Sequence, residues 1–257
     1  MLRIAVLMKS VPDLVEDIAL DEEVGQILFD EMTYVPSEWD DQALEEALLI
    51  KEESEAEVTA ITIDATQDSD NMLFTALAKG ADQAVKLTGD YDSSLTNRQR
   101  AQIFADYVRQ GSFDLVLSGV QAIDDVDGQI PGLVAGIMGW PHASVVTEVK
   151  VKGPGVVLRQ EYAGGLIAEI EGATPVIVGI QAARKPPRYA SIAKVRQIAK
   201  SRQIEEAETK LPEVPVLTVR RFYKPVVSGH AEMIDGDAEE VAGRIIEILQ
   251  ERNLLRR

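Results

Sequence analysis

Five short apolar runs recur along the chain, at residues 3–8, 58–63, 83–87, 115–118 and 176–180. Short apolar runs of this kind suit strands buried on both faces of a sheet. Helical windows stand between them. Residues 40–53 place Ala43, Leu44, Ala47 and Leu48 at helical spacing, with Ser37 as a cap and Asp40 reaching back to it. Residues 71–78 form a second helix, ended by Gly80. Residues 96–110 form a third, with Ile103, Phe104, Tyr107 and Val108 as its apolar stripe and Gly111 at its stop. Strands that alternate with helices predict an α/β fold: a doubly wound, mostly parallel sheet covered on both faces.

The pattern changes after Pro141. Residues 144–150, 156–162 and 166–171 alternate or run apolar, with Gly-containing turns between them. This predicts an antiparallel insertion ahead of the last core strand. From Arg184 the chain turns basic, with Lys185, Arg188, Lys194, Arg196, Lys200 and Arg202. Residues 205–211 are polar and read as a linker, and residues 217–223 as a strand. Residues 238–253 read as an amphipathic helix with Val241, Ile245, Ile246 and Leu249 on one face, capped by Asp235 or Asp237.

Composition removes several kinds of chemistry. The 43 acidic and 26 basic residues give a formal charge of −17, and such a field repels a nucleic-acid backbone. The chain has no cysteine, which excludes disulfides, cysteine nucleophiles and the usual cysteine-held metals. Its two histidines, His142 and His230, make a histidine metal cluster improbable. His142 has no acid or nucleophile beside it in sequence and reads as structural, and His230 carries no signal. No apolar run approaches a membrane span. The first strand begins at residue 2, without a signal or transit segment. The expectation is a soluble cytoplasmic protein without membrane insertion.

Residues 119–141, GVQAIDDVDGQIPGLVAGIMGWP, follow the fourth apolar run and lead into a small-residue helix. A strand, a glycine-bearing loop and a helix start together make a phosphate-binding device. Gly128 and Gly132 allow close approach to backbone N–H groups, and Pro131 suits a first helical turn. Asp124 and Asp125 would repel phosphate, so they are expected to accept hydrogen bonds from backbone N–H groups or sugar hydroxyls. The KSVPD segment, Lys9 to Asp13, and Asp64 with Ala65 follow two other strands. They fall on the same sheet edge, where ligands bind in open α/β folds. On these residues alone an ordinary βα turn remains open, as does a solvated role for Lys9. The basic stretch is either a docking element for an acidic partner or a solvated helix. No G-x-S-x-G elbow or Walker A loop is present, and no catalytic or metal residue is assigned.

Six segments in one order resemble the β-subunit of electron-transfer flavoprotein. They are VLMKSVPD (6–13), ALEEALLIKE (43–52), TALAKGADQAV (75–85), the 119–141 stretch, PPRYASIAKV (186–195) and the helix after AEMIDGD (231–237). The resemblance implies a heterodimer with an α-subunit that holds a redox FAD. It carries electrons between a partner dehydrogenase and a quinone-reducing or other acceptor protein. The β-subunit has no catalytic residue of its own and forms one wall near that flavin. Most members hold AMP in this subunit. In a bifurcating branch the pocket takes the adenosine end of a second FAD, which accepts hydride from NADH.

By the same resemblance nucleotide contacts fall on Leu7, Asp64, Gln121, Asp124, Gly128, Gln129, Ile130 and Gly132, beside Lys9. A recognition loop at about 184–200 docks the dehydrogenase through Arg188, Tyr189 and the apolar anchor Ile192. Residues 1–203 are then the nucleotide-binding domain, and residues 204–257 a linker and arm that packs on the α-subunit. Two departures stand out. Ile130 and Pro131 replace a threonine-bearing stretch, which removes one side-chain donor and one backbone N–H and favours FAD over AMP. The usual N-P-F-D-E before the first helix reads Ser37-Glu38-Trp39-Asp40-Asp41. The competing expectation is a stand-alone adenine-nucleotide-binding sensor with the same core.

Overall fold

The computed structural model describes residues 1–66, 69–226, 229, 231 and 233–255; His230 and Glu232 lie outside them. The chain divides into two compact units, Met1–Phe222 and Tyr223–Arg257.

In the first unit β1 (Leu2–Met8) is followed by four short strands, β2 (Ser10–Pro12), β3 (Leu20–Asp21), β4 (Gln26–Ile27) and β5 (Tyr34–Pro36). β2 pairs with β5 and β3 with β4, both antiparallel. Then come α1 (Glu38–Glu53), β6 (Ala56–Ile63), α2 (Ser69–Lys79), β7 (Gln83–Thr88), α3 (Asn97–Gln110), β8 (Leu115–Gly119) and α4 (Ile130–Met138). β9 (His142–Lys152), β10 (Gly155–Tyr162) and β11 (Leu166–Ala173) precede β12 (Val176–Ile180), α5 (Ile192–Ser201) and β13 (Glu205–Glu208). The second unit contains α6 (Ala238–Glu251). Each of the five apolar runs is a strand, longer than expected by at most two residues.

Nine strands form one sheet in the order β11-β10-β9-β12-β8-β1-β6-β7-β13. β1 pairs parallel with β6 and β8, and β12 with β8. The expected antiparallel insertion is the β9–β10–β11 meander, which joins the parallel part where β9 pairs with β12. Alternation along β1 divides the core into two layers. Ile4, Val6 and Met8 pack with Leu44, Leu48, Met72 and Leu73 of α1 and α2. Ala5 and Leu7 pack on the other face with Phe104 and Val108 of α3 and Val134 of α4.

The topology indicates where ligands bind in open α/β sheets. From β1 the chain winds outward through β6 and β7. It then crosses the opposite face by way of α3 and returns on the far side of β1 as β8. The strand order therefore reverses between β1 and β8, and a crevice opens beyond their carboxyl ends.

Two readings of the later chain are corrected. The stretch at 205–211 is not merely a linker. Its first four residues are β13, paired parallel with Val85–Thr88 at the edge of the sheet, and Glu206 holds Lys86 at 3.0 Å. An edge strand that faces water carries polar residues, and in sequence that looks like a linker. Residues 217–223 do not form a strand. Leu217 and Val219 alternate, but Arg220 and Arg221 break the pattern, β13 already closes the β7 edge, and no other strand pairs with them.

Phe104 is one of the largest fully buried side chains. Phe104→Ala is expected to lower the unfolding free energy by roughly 3–5 kcal/mol. Urea denaturation checks this, and a loss below about 1 kcal/mol would contradict its place in the core.

Candidate functional site

The crevice is organised by a side chain that its own helix does not use. Asp40 lies in the first turn of α1, where the sequence suggests a reciprocal cap with Ser37. Instead, the Ser37 side chain makes no capping bond, and its buried Oγ has no partner. The Asp40 carboxylate reaches across to the ends of two strands. Its Oδ2 accepts the Lys9 N–H at 2.8 Å and its Oδ1 accepts the Gly119 N–H at 2.7 Å. Backbone donors at strand ends lack ladder partners, and one carboxylate satisfies both. Burial pushes the Asp40 carboxyl up to about 7, against the pull of the Gly119 and Lys9 N–H groups. Gly119 is required here: a Cβ would stand 2.5 Å from the Trp39 Cβ and 2.7 Å from its carbonyl carbon.

Lys9 ties the first loop to the glycine-bearing one. Its buried ammonium lies 2.7 Å from Asp124 Oδ1 and 3.0 Å from Asp125 Oδ1, and it donates to Asn97 Oδ1 at 3.2 Å. Asp125 also accepts the Ala122 N–H and the Asn97 side-chain amide, at 2.8 and 2.6 Å. Asp125 thus accepts a backbone N–H as expected, whereas Asp124 Oδ1 is buried with no hydrogen-bond donor and is matched only by the Lys9 charge. Asp127 goes to the start of α3, where the N–H groups of Asn97 and Arg98 donate to its carboxylate at 3.0 and 3.3 Å. A helix N-terminus favours an anion, and here a side chain of the loop supplies it. Thr96 and Gln99 complete the cap in a reciprocal box. Asn97 further holds the Gly128 carbonyl at 2.7 Å.

The loop is therefore pinned at four acceptors while its far end stays open. Gly128 adopts a φ of +125°, which suits glycine. Gln121, Gly128, Gln129 and Gly132 are exposed. Gln129 is the N-cap residue of α4, and its side chain makes no cap bond. Leu133 donates back to the Gln129 carbonyl at 3.1 Å, and Pro131 has no N–H. The first-turn donors left for a ligand are thus the N–H groups of Ile130 and Gly132. The side chains of Leu7 and Ile130 belong to the core, so a contact from either is a backbone contact. Leu7, Lys9, Gln121 and Ile130 surround a cavity of about 10 Å³ beneath the loop, at the lower limit for one water.

Asp64 stands apart from this cluster. It lines a cleft of about 630 Å³ with Phe29, Met32, Tyr34, Thr66 and Tyr91, a size that suits a small-molecule site. Thr66 Oγ1 is buried there without a partner. Between cleft and loop lies Arg100, 5% exposed, which donates to the carbonyls of Leu95 and Ser93 at 3.2 and 3.4 Å. Burial lowers its pKa, and the charge of Asp124 opposes that shift most.

The docking residues are elsewhere. Arg188 is engaged with Glu45 and Glu52 of α1, whereas Tyr189 and Ile192 are 83% and 65% exposed. His142 shares a 2.9 Å hydrogen bond with Ser144, and burial lowers its pKa. Among the described residues no group of three or more His, Cys, Asp or Glu side chains could hold a metal, and no helix is long and apolar enough to cross a membrane.

Sequence reasoning missed Asn97, Thr66, Arg100 and the role of Asp40. Asp127 was visible as an acid in the loop, but its target, the start of α3, is thirty residues away.

Asp40→Ala leaves two buried N–H groups without an acceptor and should cost on the order of 2–4 kcal/mol, read by chemical denaturation. A carboxyl that titrates near 3.8 when unfolded and at about 7 when folded binds its proton more tightly in the native state. The stability it contributes is full below about pH 4 and is lost as pH rises through about 7. Asp40→Asn should flatten this part of a Tm-against-pH profile; an unchanged profile would refute the assignment.

Comparison with known proteins places the chain in a family. Residues 26–212 match the model of the electron transfer flavoprotein domain. The chain is 35% identical over 263 residues to the electron transfer flavoprotein subunit beta of Methylophilus methylotrophus, covering 97% of this chain and 98% of that one. It is 28% identical over 253 residues to the protein of the same name from Bacillus subtilis, covering 95% and 96%. It is 29% identical over 269 residues to the caffeyl-CoA reductase–Etf complex subunit CarD of Acetobacterium woodii, covering 99% and 100%. A domain match over most of the chain and near full-length relatives lead to one conclusion: the chain belongs to the electron transfer flavoprotein family, as a β-subunit, an electron-carrier component that works with an α-subunit.

Proposed function

We propose that this β-subunit holds an adenine nucleotide at the carboxyl edge of β1, β6 and β8, and that the nucleotide is a second FAD. The observation that carries the reading is the start of α4, where a loop pinned by Lys9, Asn97 and α3 ends in exposed donors. The N–H groups of Ile130 and Gly132, with Gly128, Gln129 and Gln121 beside them, would hold phosphate. Asp64 and the unpartnered Thr66 hydroxyl suit a sugar or base in the neighbouring cleft. Asp124 and Lys9 serve to hold the loop. The absence of a hydroxyl and of one N–H at Ile130 and Pro131 weakens the hold on a terminal monophosphate. A hydrogen bond to a charged group contributes about 1.5–3 kcal/mol, and a diphosphate spreads its charge over more donors.

When bound, the flavin supplies the electron-transfer chemistry; the residues of this chain position it and exclude water. With two flavins the heterodimer is of the bifurcating kind and takes electrons from NADH. The exposed Tyr189 and Ile192, set in a basic stretch, dock an acidic face of a partner dehydrogenase. The second unit serves as the arm. Asp237 caps α6 in a reciprocal box with Glu240, and Ile245 and Ile246 on its apolar stripe remain exposed, a face suited to the α-subunit.

The nucleotide reading is tested by denaturing the purified heterodimer and counting what is released. Two flavins and no AMP are expected; one flavin with AMP would overturn the FAD assignment. Gly132→Leu gives a second test. A Cβ at Gly132 approaches only His142 Cε1, at 3.8 Å, so the variant should fold, keep its α-subunit and lose the nucleotide. Full occupancy would show that the phosphate is not cradled there. Ile192→Asp should slow reduction by the dehydrogenase at unchanged flavin content, and an unchanged rate would remove the docking role.

A further inference from the structure

One face of α1 is given over to the segment that precedes the docking residues. Gln42, Glu45, Glu46, Glu52 and Glu53 lie at helical spacings of three, four and seven, and so share one side of the helix. Gln42 accepts the Ala183 N–H at 2.9 Å. Glu46, fully buried, accepts the Arg184 N–H at 3.1 Å, the Arg184 Nε at 3.0 Å and the Val149 N–H of β9 at 2.8 Å. The Arg184 Nη1 extends to Glu53 at 2.8 Å. Glu45, also buried, accepts the Arg188 N–H at 2.9 Å and takes its guanidinium in a fork, Nε at 2.9 Å and Nη2 at 2.8 Å. The Arg188 Nη1 continues to Glu52 at 2.7 Å.

Each arginine thus joins one buried and one exposed glutamate, two helical turns apart. Pro186 and Pro187 lie between the two arginines and fix the backbone there. Four residues after Arg188 comes Ile192, at the start of α5. Ser191 caps that helix, and its Ile198 packs against the core. Buried carboxylates are costly unless fully paired, yet neither arginine touches the crevice. Burial pushes Glu46 up and likewise acts on Glu45, where the bonds from Arg188 outweigh it and hold the carboxyl below its ordinary value.

We propose that Glu45 and Glu46 are positioning residues for partner docking. They hold Arg184 and Arg188 so that Tyr189 and Ile192 are presented in one fixed geometry, and the partner need not order the loop on binding. This rests on the docking role proposed above. Ordering a mobile segment at an interface weakens association, so loosening the clamp should raise KM for the partner and leave kcat unchanged.

The sign separates this from plain electrostatics. Removing carboxylates beside a basic docking surface makes it more positive, which by charge alone would tighten binding of an acidic partner and lower KM. The test uses the intact heterodimer and, as electron donor, a dehydrogenase isolated by its ability to reduce the wild type. The double variant Glu45→Gln, Glu52→Gln keeps side-chain shape and removes the charge of both partners of Arg188. It should raise KM about tenfold, with kcat, flavin content and reduction of a small dye unchanged. Arg188→Lys keeps the charge without the fork, and should raise KM less and speed hydrogen exchange of the amides at 189–200. An unchanged or lowered KM, or unchanged exchange, would overturn the proposal, as would a loss of flavin or α-subunit in both variants. Ile192→Asp separates the two levels. If it leaves KM unaltered, or if no dehydrogenase reduces the wild type, the docking reading fails and the clamp falls with it. If it raises KM while the glutamate variants do not, only the clamp fails.

Discussion

The crevice of this molecule depends on one carboxylate. Asp40 takes an N–H from the end of β1 and another from the end of β8, the two strands between which the sheet order reverses. Without it the two loops would leave the sheet independently, each with a buried donor lacking a ladder partner. With it, the KSVPD loop, the glycine-bearing loop and the first turn of α1 form one rigid corner. Gly119 allows the close approach, and Trp39 fills the space a side chain would need.

For an acidic chain to hold a phosphate as proposed, its local acids must be neutralised, and the loop does this within itself. Asp124 and Asp125 face the Lys9 ammonium, and Asp127 faces the N-terminus of α3. Each is matched to a positive group or an oriented dipole, so none needs to oppose an anion at α4. The remaining negative charge lies mostly on solvated surfaces, where salt screens it over about a Debye length. Lys9 thus does two jobs by position alone: it makes the acids tolerable, and it fastens the loop to the strand that precedes it.

The parallel core was legible because strands buried on both faces are mostly apolar, and even the run at 83–87, which carries Gln83 and Lys86, keeps Ala84, Val85 and Leu87 buried. The insertion was legible from its turns. The edge strand Glu205–Glu208 was not, because a strand exposed to water has no apolar signature. Residues 217–223 began like a strand with Leu217 and Val219 but lacked a neighbour, and pairing is a property of two segments. The site shows the same division. Glycines and the small-residue helix start announced the loop, whereas the partners that hold it, Asn97 and Asp40, lie in distant segments and carry no local signal. Ser37 and Asp40 matched a capping box and were not one, because the two strand ends offered Asp40 stronger, buried donors.

The same geometry bears on what Pro131 does. A proline in the first turn of α4 costs the protein nothing, since that N–H has no helical partner in any case. Its cost falls wholly on a ligand, which finds two first-turn N–H groups instead of three. Side chains do not replace the lost donor: Ile130 points into the core, and Gln129 makes no cap bond. The nearby cations do not replace it either, because Lys9 is occupied by three acceptors and Arg100 by two carbonyls. A ligand anchored by a single terminal phosphate would depend almost entirely on this turn. A ligand held along a longer chain, with its sugar or base reaching Asp64 and Thr66, would not, so under the proposed reading the missing donor would favour extended ligands while leaving the stability of the fold untouched.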